Sequence, residues 1–493
     1  MLKKYTLEAA DKFVADNREN VITDYRHQYH MMAPVGWMND PNGFVFYKGE
    51  YHLFFQYYPY DSSWGPMHWG HMKSKDLIHW EELPTALAPD QPYDKDGCFS
   101  GSAIEKDGLL YLMYTGHVVE DGNVTQTQCI AVSEDGINFK KIEQNPVIAE
   151  EGLGSNGKIA DFRDPKVFYR DGSYWIVIPT KTDDNRGRIL LYKSDDLISW
   201  DFYSILLEGN ESQGIMWECP DLFHIDGKDV LIMSPIQMPK RGYEFHNISS
   251  TLAFIGKVDW DTGKFEVENE HEIDAGFDFY APQTLVDDQD RRIMTAWMQL
   301  WDRTLPTHDL EHLWAGAMTL PRVLSVEDNY LVQKPVPQVY ENLKITKREE
   351  ELVVTDTLVS FEDIVEDNMY IAFTADLSNS EEFSLRFTVD EDSELIMEYQ
   401  KNEGILSIDR EHFGHNIKGS EEPQLVKRSL LVPLEDNKIK LELFRDTSSL
   451  EVFINDRQTM STTFYEIEKS HTLNFKSKGT THIEDLKLGH IVV

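Results

Sequence analysis

The chain is poor in cysteine, in basic residues and in long apolar runs. It has three cysteines in 493 residues, and their spacing fits neither a disulfide framework nor a zinc site. Its 47 lysines and arginines are outnumbered by 86 aspartates and glutamates, for a formal net charge of -39. That charge repels nucleic acid and anionic membrane surfaces, so we expect neither as a partner. No apolar stretch approaches the roughly 18 residues of a membrane-spanning helix.

The amino terminus has no apolar core of the kind found in a secretory signal. Residues 1–20, MLKKYTLEAADKFVADNREN, carry charges throughout. We therefore predict an amphipathic helix within a helical extension over residues 1–25. The absent signal and the scattered cysteines together indicate a cytoplasmic protein in a reducing compartment.

What the chain does contain is a pattern repeated five times. Each copy has a polar start, a short apolar run, a turn rich in Asp, Gly or Lys, and a second apolar or aromatic run, which is typical of a β-hairpin. The copies begin at Asn39, Phe99, Phe162, Trp217 and Asp278. Equivalent positions in the copies, Asp40, Ser100, Asp164, Glu218 and Tyr280, are 54 to 64 residues apart, which fits four short strands per copy. The repeat predicts a five-bladed β-propeller over residues 26–345, with a long sandwich or β-helix as the alternative.

The last third of the chain has a different pattern. The segment VQKPVPQVYENLKITKREEEL is a polar connector with two prolines. After it, segments such as MYIAFTADL and KIKLELFR alternate apolar and polar residues between charged turns, which predicts an antiparallel β-sandwich over residues 346–493. The predicted fold class is all-β, and we expect the sandwich to serve packing or assembly because it shows no clustered chemistry.

Three acidic residues occupy matching positions in the repeat. Asp40, Asp164 and Glu218 stand where the first strand of copies one, three and four begins. The first strands of propeller blades line the central channel, so these side chains are expected to meet in one axial pocket. Glycoside hydrolysis needs two carboxyl groups flanking the scissile bond, and a third can hold substrate hydroxyls. The pattern predicts a glycoside hydrolase.

Neighbouring residues suggest different roles for these acids. Glu218 lies between Trp217 and Cys219, where poor hydration would favour a protonated acid and hence a proton donor. Asp40 lies beside the polar Asn39 and is expected to stay ionised and act as the nucleophile.

Asp164 follows Arg163, so we expect it to remain an anion that grips two sugar hydroxyls. Aromatic rings complete a carbohydrate pocket because the C–H faces of sugars stack on them. The candidates at blade starts and adjoining loops are Trp37, Trp64, Phe99, Tyr280 and Trp297, with Gln56 and Ser100 as neutral hydrogen-bonding groups.

These motifs together resemble the invertase and fructan-hydrolase family of glycoside hydrolases, family 32. The matching motifs are WMNDPNG (37–43), FSGS (99–102), FRDP (162–165), WECP (217–220) and DFYAPQT (278–284), in order along nearly the whole chain. The sequence is most similar to the bacterial sucrose-6-phosphate hydrolase branch.

The resemblance implies a propeller joined to a sandwich and a retaining cleavage of β-fructofuranosyl bonds, without a metal or an organic cofactor. It implies that Asp40 is the nucleophile, Glu218 the acid/base and Asp164 the stabiliser that binds fructose hydroxyls. The family's substrate contacts match Asn39, Gln56, Trp64, Phe99, Ser100, Arg163 and Trp297.

The sequence leaves several alternatives open. The small-molecule sugar could be sucrose, its 6-phosphate or a short fructo-oligosaccharide, and the chain could form a homo-oligomer. A related arabinan or xylan hydrolase and a non-catalytic sugar-binding propeller are the rival functions. Cationic side chains that could meet a phosphate lie in loops after blades three and four: Lys181, Arg186, Arg188, Lys240 and Arg241.

Overall fold

The computed structural model describes residues 5–493, and it confirms the predicted all-β class. Five sheets form the propeller blades between residues 36 and 335, and a ten-stranded sheet follows from residue 343. Within residues 5–493, no helix is both long and apolar enough to cross a membrane.

The predicted amino-terminal helix is present as α1 (Leu7–Asn17), which continues into a 3₁₀ turn at Arg18–Asn20. Thr6 caps it, since its hydroxyl oxygen accepts a hydrogen bond from the Ala9 N–H at 3.1 Å, a stabilising arrangement for a helix start. The other helices are short: α2 (Glu150–Leu153), α3 (Pro306–Asp309) and α4 (Pro337–Glu341), with 3₁₀ turns at Gly154–Asn156 and Ile159–Asp161.

Each blade is a meander of four strands. Blade one contains β1 (Gly36–Tyr47), β2 (Glu50–Tyr58), β3 (His68–Ser74) and β4 (Trp80–Glu82); blade two contains β5 (Gly97–Lys106), β6 (Leu109–Glu120), β7 (Asn123–Ser133) and β8 (Lys140–Lys141). Blade three contains β9 (Lys166–Arg170), β10 (Ser173–Lys181), β11 (Gly187–Ser194) and β12 (Asp201–Glu208); blade four contains β13 (Met216–Ile225), β14 (Lys228–Ile236), β15 (Leu252–Asp259) and β16 (Lys264–Glu272).

Blade five closes the ring. It contains β17 (Tyr280–Val286), β18 (Arg292–Trp297), β20 (Arg322–Glu327) and β21 (Tyr330–Pro335). The short β19 (Trp314–Ala315), between β18 and β20, leaves its own blade and pairs in parallel with β1. Because the last blade thus contributes a strand to the first, the two ends of the propeller are tied by backbone hydrogen bonds.

Two-residue turns join the first and second strands of the first four blades. Both central residues of each turn have positive φ, and the turns are Lys48-Gly49, Asp107-Gly108, Asp171-Gly172 and Asp226-Gly227. Hairpin turns of this kind match the twist of the flanking strands and favour Asp-Gly. The turn residues read from the sequence therefore determine where each hairpin reverses.

The carboxy-terminal domain is a sandwich made by two long, bent strands, β24 (Met369–Asp390) and β31 (Thr472–Ile491). The other strands are β22 (Leu343–Val354), β23 (Leu358–Phe361), β25 (Ser393–Gln400), β26 (Ile405–Asp409), β27 (Lys427–Leu431), β28 (Lys438–Asp446), β29 (Ser449–Ile454) and β30 (Gln458–Thr463). The first half of β24 pairs with β28 and its second half with β25. Phe373 from the first half contacts Phe383 and Phe475 across the core, with ring centroids 5.9 and 5.7 Å away.

Buried ion pairs join the propeller to the sandwich. Each pairs a residue of one domain with a residue of the other: Arg303–Glu421 at 2.8 Å, Arg410–Asp278 at 2.6 Å and Arg428–Glu272 at 2.9 Å. Their side chains are almost completely buried. A charge taken out of water is tolerated only when it is paired and hydrogen-bonded, so these pairs determine how the two domains fit together.

Arg322 of β20 also lies at this interface and forms hydrogen bonds to residues of both domains. Its guanidinium donates to Asp274 at 2.9 Å and to Glu451 of the sandwich at 2.5 Å. Glu451 also contacts His30, whose other ring nitrogen lies 2.8 Å from Asp446. Burial alone would lower the pKa of His30, but these two carboxylates outweigh it and raise the pKa to about 9.

We expect Arg322→Met to reduce the free energy of unfolding by about 3–5 kcal/mol, because Asp274 would be left as a buried charge without a cationic partner and Glu451 would keep only His30. Urea denaturation measures the change. The matched control is Arg348→Met, which removes a surface pair with Asp485 and should change stability by less than about 0.5 kcal/mol. Equal effects of the two substitutions would contradict this account of the interface.

Candidate active site

The inner strands of the blades are irregular at the end where the predicted site residues lie. The ladders between first and second strands shift register between Met38 and Pro41, Phe99 and Gly101, Glu218 and Asp221, and Tyr280 and Gln283. Non-glycine residues with positive φ stand at this end as well: Asp164, Cys219 and Ala281. Bulges re-aim side chains, and strained backbone concentrates at functional sites. The repeated irregularity turns side chains toward the propeller axis.

A cavity of about 220 Å³ opens at this end of the channel. Its lining residues are Asn39, Asp40, Gln56, Trp64, Phe99, Ser100, Gln126, Arg163, Asp164, Glu218 and Trp301. The three predicted acidic residues thus meet in one cavity, although they come from three blades. A larger cavity of about 430 Å³ opens at the other end of the channel, and the predicted site residues are not among those that line it.

Asp40 is held by neutral donors on both carboxylate oxygens. The Ser100 hydroxyl donates to Oδ2 at 2.6 Å, and the Asn39 amide donates to Oδ1 at 3.0 Å. Burial raises the pKa of Asp40 and the charge of Glu218 raises it further, while the hydrogen bonds from Ser100 and Asn39 lower it. The carboxylate therefore has a defined orientation, with its charge stabilised by hydrogen bonds instead of a cation.

Glu218 is held by two different partners. Arg163 donates to Oε1 from Nη2 at 2.6 Å and from Nε at 3.2 Å, and the Tyr280 hydroxyl donates to Oε2 at 2.6 Å. Because both oxygens are occupied, the carboxyl group points in one direction into the cavity.

The expectation that Trp217 makes the surroundings of Glu218 poorly hydrated is wrong. Successive residues of a strand face opposite sides of the sheet, so Trp217 is buried on the other face, where it packs on Gly187 and Gly209. The Glu218 side chain is 15% exposed. Asp40, expected to stay ionised beside Asn39, is buried, and its burial opposes the ionised form.

Arg163 favours the ionised form of Asp164, as expected, but it does not keep the pKa of that carboxyl group low. The nearest guanidinium contact to Asp164 is 4.0 Å long, whereas Glu218 receives the short ones. Burial raises the pKa of Asp164, Arg163 only partly offsets it, and the charges of Glu218 and Asp40 raise it further. Asp164 instead accepts a hydrogen bond from the Cys219 N–H at 3.1 Å.

Three predicted contact residues stand behind the cavity wall. Trp37, Tyr280 and Trp297 are buried and do not line the cavity. Two of them form hydrogen bonds to residues that line the cavity. The Trp37 indole donates to Asn39 at 2.7 Å, and the Tyr280 hydroxyl donates to Glu218. Trp297 packs against Trp37 with its ring centroid 5.7 Å away. The prediction of direct sugar contact by these three is corrected because the bulged strands place them in a second layer.

Three residues of the site were missed from the sequence. Gln126 and Trp301 line the cavity, and the Cys219 thiol lies between Asp40 and Asp164, 3.4 and 3.6 Å from their oxygens. Burial and these acids raise the pKa of the Cys219 thiol well above its usual value. Cys219 stands inside the WECP motif, which is a signal for it, whereas Gln126 and Trp301 lie outside all five motifs.

Aromatic rings form one side of the cavity mouth. Trp64 is 47% exposed, and its ring meets that of Phe99 edge to face at 6.1 Å. Phe99 is in turn stacked on His117 at 4.0 Å. A sugar ring can present its C–H face to such a surface while its hydroxyls reach polar groups opposite.

A pair of oriented carboxyl groups, a third buried acid and an aromatic rim in a propeller channel define a glycoside hydrolase acting on a sugar substrate. The N-terminal domain of glycosyl hydrolases family 32 matches residues 30–335, and the C-terminal domain of the same family matches residues 339–490. The chain belongs to this family.

Relatives and solved structures are similar to the chain over most of its length. A sucrose-6-phosphate hydrolase of Zymomonas mobilis is 36% identical over 476 residues, which cover 92% of this chain and 89% of the relative. The sucrose-6-phosphate hydrolase structure from Lactobacillus gasseri aligns with a TM-score of 0.85 at 28% identity, covering 99% of both chains. A β-fructofuranosidase variant of Bombyx mori in complex with sucrose aligns with a TM-score of 0.84 at 32% identity, covering 99% and 98%.

We expect Ser100→Ala to move the acidic limb of the hydrolytic pH profile to higher pH. The Ser100 hydrogen bond lowers the pKa of Asp40, so its loss raises that pKa and extends the range in which Asp40 is protonated. The pH dependence of kcat/KM, which reports free-enzyme groups, measures the shift. Ser173→Ala, at the far end of β10, is the control and should leave the limb in place. An unmoved limb in Ser100→Ala would refute the contribution of this hydrogen bond.

Proposed function

We propose that this protein hydrolyses the β-fructofuranosyl bond of sucrose and sucrose 6-phosphate and releases fructose with retention of configuration. The observation that carries the proposal is the meeting of Asp40, Asp164 and Glu218 in one cavity with an aromatic rim. The names of the relatives support this substrate class. The free state of all three cysteines supports a cytoplasmic location.

In the first step, an Asp40 oxygen attacks the anomeric carbon of the fructosyl unit and Glu218 protonates the departing glycosidic oxygen. The bond to the leaving sugar breaks as the fructosyl–Asp40 ester forms. The neutral donors on Asp40 suit this role, since they orient the carboxylate without forming a salt bridge with it.

In the second step, Glu218 takes a proton from water, the resulting hydroxide equivalent attacks the same carbon, and Asp40 leaves as a carboxylate. The partial exposure of Glu218 suits a group that meets both the leaving group and water. Arg163 and Tyr280 act as positioning residues because they fix the direction of its carboxyl group.

Asp164 is assigned to the sugar hydroxyls. With its pKa raised by burial, this carboxyl group can donate as well as accept a hydrogen bond, which suits two neighbouring hydroxyl groups. Gln56 and Asn39 supply further neutral contacts at the cavity wall.

The wild-type protein should release fructose from sucrose or its 6-phosphate, and Asp40→Asn or Glu218→Gln should reduce kcat by about 10²–10⁴-fold. The first substitution removes the nucleophile and the second the proton donor. A coupled fructose assay measures the rates, with Asp171→Asn on an exposed turn as the control. Release of arabinose or xylose from their polymers in place of fructose would favour the related hydrolases, and full activity of either variant would overturn the assigned roles.

Retention predicts a specific product when methanol competes with water. The fructosyl–Asp40 ester is attacked from the face that the leaving group vacated, so methyl β-fructofuranoside should form. Proton NMR of the early products identifies the anomer. Predominant α-anomer would indicate single displacement and exclude Asp40 as a nucleophile.

A further inference from the structure

We propose that Lys181 binds the phosphate of a phosphorylated glucosyl leaving group and thereby gives the enzyme its preference for the phosphorylated sugar. The inference rests on the proposed function and deepens it. It concerns a residue linked by ion pairs to Arg163, which lines the cavity beside Glu218, the proposed proton donor to the leaving sugar.

A phosphate group faces an unfavourable field at this cavity. It carries about 1.5 to 2 negative charges near neutral pH, and the cavity already holds the acidic groups of Asp40, Asp164 and Glu218. Binding of such a group requires a cationic side chain close to the mouth, as lysine and arginine bind phosphates.

Arg163 does not have the freedom to supply that charge. Two of its nitrogens donate to the same Glu218 oxygen, at 2.6 and 3.2 Å. A phosphate that drew the guanidinium away would release the proposed proton donor from its position. The phosphate contact is therefore expected from a different cation.

Lys181 follows Arg163 and Asp161 in a series of ion pairs that begins at Glu218. It is the last residue of β10, and its Nζ lies 3.7 Å from Oδ1 of Asp161, the same oxygen that lies 3.7 Å from Nη1 of Arg163. The contacts thus run from Glu218 through Arg163 and Asp161 to Lys181. At 3.7 Å the ammonium group makes no hydrogen bond to Asp161, so its donors remain available to an incoming anion.

The other cations considered from the sequence are less suitable. Arg186 and Arg188 form close pairs with Glu208, and Arg241 forms close pairs with Glu244 and Glu270. Their charges are compensated at distances of 2.5 to 3.0 Å. Among the described residues, no hydrogen bond or ion pair connects Lys240 to a cavity residue. Of these five cations, only Lys181 is connected by ion pairs among the described residues to Arg163 and Glu218.

The test compares two substrates in three proteins. In Lys181→Met, kcat/KM for sucrose 6-phosphate should fall about 10- to 100-fold, the loss expected for a charge-assisted contact, while kcat/KM for sucrose should change less than about twofold. Lys181→Arg should retain most of the activity on the phosphorylated sugar. Lys193→Met, at the far end of the same blade, should leave both values unchanged. Equal losses on the two substrates, or no loss on either, would overturn the proposal.

Calorimetric titration separates this inference from the proposed hydrolysis, because it needs no turnover. Glucose 6-phosphate should bind the wild-type protein about 10-fold or more tightly than glucose, and Lys181→Met should abolish the difference. Equal binding of the two sugars by a wild-type protein that hydrolyses sucrose would overturn the phosphate contact alone. Absence of hydrolysis of either substrate would overturn the proposed function itself.

Discussion

The end of the channel that holds the cavity brings three acidic side chains, Asp40, Asp164 and Glu218, close together, and the structure there depends on how each of these groups is stabilised. Like charges at close range disfavour ionisation, and burial raises the same cost. The protein meets this constraint differently at each acid. Asp40 receives hydrogen bonds from neutral side chains, Glu218 receives the guanidinium of Arg163 and the hydroxyl of Tyr280, and Asp164 is buried with a raised pKa. One fold therefore holds three carboxyl groups in three distinct electrostatic environments.

Buried carboxylates also meet at the boundary between the domains, but there they are paired with cationic side chains. At the interface Glu272, Asp278 and Glu421 each pair with an arginine of the other domain. Glu451 has two cationic partners from the propeller side, Arg322 and His30. Such pairs add little net stability compared with an apolar contact, but they penalise any misplaced docking. They hold the sandwich against the propeller through buried charged contacts.

Much of the fold was predictable because its determinants are local. Apolar runs separated by Asp-Gly turns specify hairpins, and their repetition specifies a propeller. The convergence of Asp40, Asp164 and Glu218 follows from their matching positions in that repeat. Gln126 and Trp301 were not predictable in this way, since neither stands in a repeated motif. Trp37, Tyr280 and Trp297 were expected to line the cavity but are buried behind it, because bulges alter the simple alternation of strand faces.

The sequence by itself determined the hairpins and their repetition, because these depend on residues close together along the chain. The shared site of the acidic residues was predictable only through their matching positions in that repeat. Only the tertiary structure decided which partner each acid has. Arg163 precedes Asp164 in the chain but contacts Glu218 from the next blade, and Trp217 turns away from the residue beside it. Hydrogen bonding and burial depend on distances between side chains in space, and strand geometry separates sequence neighbours while bringing distant blades together.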